Sequence, residues 1–363
     1  MFLIEHAKNF YIAKENKSKE ENDILLYNLQ REYRLLQTMR YSNEKIRDRN
    51  IDSTTRYMDN NYSKRHYNKI FTSPEDRAKE IAEEYEQIIK EFFVEGGAKT
   101  FVRELAYRIP AIDDVWRPIG DSTKSLYSPE QLARNPRSTY WSVINGNEFA
   151  FINDKDKVAK SLQNLSDEDV EKLDIKIPRY LPNKSEIGAD HIPGSIMTKY
   201  FAVAANSKSD KKPKYYIEAI LSISSMDKKF VSNKSENEMR VLEPIIKDYI
   251  LSNYEDKLKL ELSVLFLKKI NDAKKEIIGK WTNGEHVIQF KKNGDCDISG
   301  ALSTSPKKYV MLNNLTLGFE KKSKPPIYFD RFIGKNTSEV KENEYYLNSN
   351  SLKICNTEYT KIE

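Results

Sequence analysis

Four histidines, His6, His66, His191 and His286, and two cysteines, Cys296 and Cys355, are all the chain offers for soft-metal or thiol chemistry. No histidine lies within four residues of another or of a cysteine. Zinc ligands carried on one element need such close spacing, so the pattern predicts no metal centre. Two distant cysteines predict no disulfide scaffold and suit a reducing cytoplasm. The chain has no Gly-X-Ser-X-Gly elbow, no glycine loop followed by Lys-Ser/Thr, and no dinucleotide fingerprint. Asp113-Asp114 offers two carboxylates to a divalent ion, although an acid pair before a strand is ordinarily a solvated turn. Asn153, Asp154 and Asp156 begin like a calcium loop but lack its glycine and distal glutamate. The expectation is therefore binding without catalysis and without a cofactor. Trp141, Phe149 and Phe151 are the candidate walls of a small-molecule pocket, with His191 and Ser195 as hydrogen-bonding contributors. The alternatives are ordinary core for the aromatics and a plain loop position for His191.

Several elements must position these residues. Residues 139–152, TYWSVINGNEFAFI, predict a hairpin turning at Asn145-Gly146. A three-residue loop would bring Trp141 beside Phe151 and Val143 beside Phe149, whereas a two-residue turn would send the two sets to opposite faces. Residues 200–206 and 216–225 alternate like two antiparallel strands across a polar loop. Phe230 follows, then capping residues at 233–236. Met239, Leu242, Ile245, Ile246, Tyr249 and Ile250 recur at helical spacing. Thr72-Ser73-Pro74-Glu75 opens an earlier helix running to about Phe93, with a first strand expected near residues 112–118.

This order of strand, loop, strand, small residues, Phe and amphipathic helix, carried by IEAILSISSMDKKFVSNKSENEMRVLEPIIKDYI, resembles the GAF family over residues 75–250. The resemblance implies an α/β sensor domain with a ligand pocket between its sheet and the covering loops. Some cyclic-nucleotide-binding members carry Asn-Lys, Phe and Asp-Glu landmarks here. This chain matches only Phe230, with Ser225-Met226 and Asn233 to Glu236 at the other places.

The last 85 residues read as short alternating strands joined by Asn-rich turns, the pattern of a small antiparallel barrel. Gly279-Lys280-Trp281, the strand ending at Phe290 and the following Lys-Asn-Gly turn resemble small bacterial lipocalin-like domains. The expected fold class is α+β and multidomain. Residues 1–73 form a helical arm and linker, 74–250 a GAF-like ligand-binding domain, 251–278 a connecting helix, and 279–363 an independently folding lipocalin-like barrel.

The net charge of +5 on 363 residues is too small to imply nucleic acid by itself. Residues 40–69 interleave tyrosine with base, as single-strand binders do, but eight Lys/Arg are diluted by four Asp/Glu, which favours a solvated helical face. No apolar run reaches membrane-spanning length, and Glu5 and His6 interrupt the apolar start before it could serve as a signal segment. Two stripes, Ile24 to Ile46 and Met239 to Ile270, predict a homodimer through at least one of them, with Leu258 and Leu262 at the seam if the second is used. The function expected is a cytoplasmic, non-enzymatic sensor of a small molecule, nucleotides included. The rival is a protein-interaction scaffold of a mobile-element or antiviral-defence system.

Overall fold

The computed structural model describes residues 73–93, 100–119, 127–183, 186–204, 215–230, 246–247, 251–300, 307–312, 315–321, 324–333 and 337–363. The helical arm apart from Ser73, the stripe from Ile24 to Ile46, the tyrosine-rich segment 40–69 and most of the helix expected after Asn233 lie outside the described residues.

Helix α1 (Pro74–Phe93) starts where the Ser-Pro-Glu sequence places it, with Glu75 and Asp76 at its positive end and Lys90 in its last turn. Ala78, Ile81, Ala82, Tyr85, Ile88 and Ile89 recur at three- and four-residue spacing and are buried. They pack against one face of a five-stranded antiparallel sheet, β1 (Phe101–Arg108), β2 (Arg117–Pro118), β3 (Phe149–Ile152), β4 (Ser195–Ala204) and β5 (Tyr215–Ser225), ordered β2-β1-β5-β4-β3. Strands β4 and β5 match the expected antiparallel pair, with Ser195 opposite Ser225. The first strand does not lie at 112–118. The amides of Ile112 and Asp113 both donate to the Ile109 carbonyl, Asp114 takes a positive φ of 53°, and only Arg117 and Pro118 are extended.

Residues 139–152 do not form a hairpin. Thr139–Ser142 is a helical turn, α3, preceded by α2 (Pro129–Arg134), and Val143–Asn147 continues it as a π-helical turn that ends through Gly146 at φ 130°. Local polar groups explain why. The Ser138 hydroxyl caps the Trp141 amide at 3.0 Å, and the Asn145 side chain donates to the Trp141 carbonyl at 2.8 Å. Tyr140 and Val143, three apart, then share a buried helical face, which overrides the strand preference of both residues. Only Phe149–Ile152 remains a strand. Two short helices follow, α4 (Lys155–Leu162) and α5 (Asp167–Lys172), capped by Asp154 and Ser166. The residue that suggested a calcium loop, Asp154, is thus an N-cap, accepting from the Lys157 amide at 3.0 Å.

Helix α6 (Ser252–Lys275) lies alongside α1. Tyr254, Leu258, Leu262, Leu265, Ile270 and Ala273 enter the same core as α1 and the sheet. Leu258 and Leu262 are fully buried there, so they are not seam positions. Lysines at both would place two ammonium groups among aliphatic side chains and unfold the domain instead of separating two chains.

The remaining strands are β6 (Gly279–Thr282), β7 (Val287–Phe290), β8 (Cys296–Ser299), β9 (Lys308–Met311), β10 (Leu317–Lys321), β11 (Lys324–Arg331), β12 (Glu344–Leu347), β13 (Ser351–Ile354) and β14 (Thr357–Lys361). They form one nine-stranded sheet in which neighbours in sequence are neighbours in space and β14 returns to β6. The Cys296 and Tyr309 amides donate to the Lys307 and Gly294 carbonyls across the remaining gap, so the sheet nearly closes into a barrel. Its core includes Ile277, Trp281, Phe290, Phe319, Tyr345 and Leu352, with the Trp281 indole donating to the Ile277 carbonyl at 2.8 Å. The expectation of a purely antiparallel barrel fails at one place. Strands β11 and β12 pair in parallel, Asp330 with Glu344 and Arg331 with Tyr345, so β12 begins beside the end of β11 and runs on in the same direction; the short helix Thr337–Glu339 lies in the connection. Leu315, at the edge of this barrel, is buried in the α1–α6 core. An excised barrel would uncover it, and Leu315→Ser should improve the solubility of that fragment while lowering the melting temperature of the whole chain.

Candidate ligand-binding site

The two faces of the five-stranded sheet are chemically unlike. On β5, Ile217, Ala219, Leu221 and Ile223 face α1 and α6, while Glu218, Ile220, Ser222 and Ser224 face the other way. Strand β1 repeats the division, with Leu105 and Tyr107 against the helices and Val102, Glu104 and Ala106 opposite. Over this second face lies a cavity of about 400 Å³. Its floor is Val102, Glu104, Ile196, Ser222 and Ser224, and its roof comes from Thr139 and Tyr140 of α3 and from Tyr180, Leu181 and Asn183. The volume is large enough for a small organic molecule, and apolar walls with a few hydrogen-bonding groups line it.

The polar groups of the site form two networks. In one, Thr198 donates to the Thr139 hydroxyl at 2.9 Å and shares a hydrogen bond of 3.1 Å with Ser222. The Tyr140 hydroxyl donates to Glu104 at 3.1 Å. Burial, and after it the Glu104 charge, pushes the Tyr140 phenol far above its ordinary pKa, so it stays a donor. In the other network Glu186 gathers three donors: Lys155 at 3.3 Å, the Tyr180 hydroxyl at 2.7 Å and the Asn183 amide at 2.8 Å. Lys155 is wholly buried, 3.5 Å from the Ser224 hydroxyl and 5.4 Å from the Tyr180 ring centre. Burial lowers its pKa, against the attraction of Glu186. Burial also raises the Tyr180 phenol, with Glu186 adding to the effect.

None of the five residues expected in the pocket lines this cavity. The sheet separates them. Phe149 and Phe151 stack on each other and, through Phe151, on Phe230, all on the α1–α6 side. Trp141 lies on the cavity side but turns its ring to Arg179, whose guanidinium carbon sits 4.4 Å above it. Arg179 is itself buried, bonding the carbonyls of Val170 and Leu173 at the end of α5. Ser195 is a structural bracket, donating to the Asn153 carbonyl at 2.7 Å and accepting from the Phe230 amide at 2.8 Å. His191 is exposed and 3.2 Å from Asp156, whose carboxyl is held at about 2 by Lys160 first and by the Ile192 amide next. Trp141→Ala should accordingly cost roughly 1–2 kcal/mol of stability through the lost Arg179 contact. Ligand affinity should change little, which thermal melts with and without ligand would reveal.

The lining residues are the near neighbours of those expected. Thr139 and Tyr140 replace Trp141 because a helix, not a strand, carries them, and Ile196 replaces Ser195 by the one-residue alternation of β4. One signal in the sequence did point here. In ILSISS, a wholly buried stretch of β5, Ser222 and Ser224 flank Ile223, which marks a polar face that must look onto a cavity or a network. Among the described residues, no group of three or more His, Cys, Asp or Glu could hold a metal ion, and no helix is long and apolar enough to cross a membrane. Comparison of the chain with protein-family models, with curated proteins and with solved structures finds no match.

Proposed function

We propose that residues 74–250 form a GAF-like sensor domain and that the cavity between its serine-lined sheet face and residues 138–140 and 180–183 receives a small molecule. The cavity is the observation that carries this reading, and it favours a sensor over a scaffold built only to dock proteins. Glu104, Thr139, Tyr140, Tyr180, Ser222 and Ser224 are the contact residues. The same strands that floor the cavity back onto α1 and α6. A ligand that shifts β1 and β5 would therefore bias the packing of α6, whose C-terminus leads within a few residues into the lipocalin-like barrel. The protein is read as a cytoplasmic signalling component in which binding, not turnover, is the event.

Native protein released by heat or acid should yield a stoichiometric small molecule by mass spectrometry. Val102→Trp tests the place. Val102 lines the floor, so an indole there fills the cavity without removing any side-chain hydrogen bond. Affinity for the recovered molecule should fall at least about 100-fold, a loss near 3 kcal/mol, with the circular dichroism spectrum unchanged. Full affinity in a folded Val102→Trp protein would place the ligand elsewhere.

A further inference from the structure

Helix α6 buries one face, yet a second face is apolar and bare. Leu260, Val264 and Leu267 are 65, 38 and 52% exposed, which is unusual for three large aliphatic residues along one helical stripe. With Asn271, also exposed, they fall at spacings of four, three and four. That is a two-heptad seam with Leu260 and Leu267 at the d positions and Val264 and Asn271 at the a positions. Of the charges beside it, Lys268 and Glu261 are drawn toward α1, reaching Glu75 at 3.1 Å and Arg77 at 3.6 Å, and Lys257 and Lys274 bound the stripe at its two ends.

We propose that this stripe pairs with the same stripe of a second copy of the chain, as two parallel α6 helices about a twofold axis. The residue types commit to that occupant. A β-branched residue at a with leucine at d favours two parallel strands, and a lone asparagine at a fixes register and number by bonding its own counterpart. Under a twofold axis each side chain meets its like: leucine on leucine, valine on valine, and the Asn271 amides on each other. A partner of different sequence would have to supply both the apolar match and an amide opposite Asn271. This seam is separate from Leu258 and Leu262, which face the opposite way into the core.

Sedimentation of the full chain across about 1 to 100 μM, concentrations at which weak homodimers assemble, should show twice the 42.4 kDa mass. The double variant L260K/L267K changes only exposed positions. It should keep its melting temperature as a monomer and raise the dimer dissociation constant at least about 100-fold. L260C and N271C should each form a self-disulfide under mild oxidation, since parallel pairing sets each residue beside its own copy, whereas an antiparallel pair would cross-link neither. A wild-type monomer throughout the range, or a dimer indifferent to L260K/L267K, overturns the proposal. So does a monomer that the double variant destabilises, which would assign the stripe to residues 24–46 of the same chain.

Discussion

Glu186→Ala should cost the fold about 3–5 kcal/mol, the range for stripping one partner from a buried ion pair. Among the described residues, the carboxylate is the only anionic group bonded to the Lys155 ammonium, whose other polar neighbours are the Ser224 hydroxyl and the Met226 sulfur. Alanine at 186 leaves that ammonium buried without a countercharge and also orphans the Tyr180 hydroxyl and the Asn183 amide. Lys155→Met should cost less, because Glu186 would keep both of those donors and methionine fits beside Met226. The double variant Lys155→Met/Glu186→Gln should recover most of the loss. Its glutamine oxygen still accepts from Tyr180 and no buried charge remains. Urea unfolding of wild type, Lys155→Met, Glu186→Gln and the double variant completes the cycle, with an expected coupling of about 2 kcal/mol or more. A Glu186→Ala protein within 1 kcal/mol of wild type would mean that Lys155 is hydrated.

The pair also bears on the cavity. Glu186, Tyr180 and Asn183 belong to the segment that roofs it, and Lys155, at the start of α4, reaches the cavity-facing Ser224 hydroxyl of β5, so the ion pair pins roof to sheet. A charge pair is a poor way to gain stability, since an apolar replacement of equal volume does as well or better. It is a good way to fix one geometry, because any displaced arrangement leaves two charges in an apolar surrounding.

Much of the scaffold was readable in the sequence and little of the site was. Helix α1 could be read because cap, proline, dipole charges and apolar spacing agree over twenty residues. The β4–β5 pair and the succession of barrel strands were readable for the same reason, alternation bounded by turn residues. Residues 139–147 misled because Tyr, Trp, Val and Ile favour strands, while the decisive groups, the Ser138 and Asn145 side chains, act through single hydrogen bonds that propensity does not weigh. Leu258 and Leu262 misled for another reason. Helix α6 is apolar on two faces, and periodicity alone does not say which one meets the domain and which meets solvent. The parallel β11–β12 pair depends on where the connection returns to the sheet, beside the end of β11, which no local pattern encodes. Lys155 and Glu186, thirty-one residues apart, had no mark at all. Each is an ordinary charged residue until the fold buries it.

Alkaline titration should unfold the protein cooperatively a little above pH 10. Tyr85, Tyr140, Tyr180 and Tyr345 all have phenols pushed up by burial above all. Each donates its proton inward, Tyr85 to the Met197 sulfur, Tyr140 and Tyr180 to carboxylates, and Tyr345 to the Leu315 carbonyl. A group whose folded pKa is raised holds more protons folded than unfolded above the unfolded value, so its contribution is complete below pH 10 and declines as pH rises beyond it. Each such tyrosine removes about 1.4 kcal/mol per pH unit in that window. Lys155 works in the opposite sense, because its folded pKa is lowered and stability rises with pH until its unfolded value is passed. Lys155 opposes them only up to about pH 10.5, and beyond it the four phenols together remove about 5 kcal/mol per unit, enough to exhaust an ordinary domain between pH 10 and 12. Absorbance at 295 nm should therefore rise in two phases, exposed tyrosines first and reversibly, the buried ones together with the loss of far-ultraviolet ellipticity. Tyr140→Phe/Tyr180→Phe deletes the two that roof the cavity and should cut the slope of stability against pH by about half. A single smooth titration with the fold intact would mean that those phenols reach water, and the roof of the cavity would then have to be open.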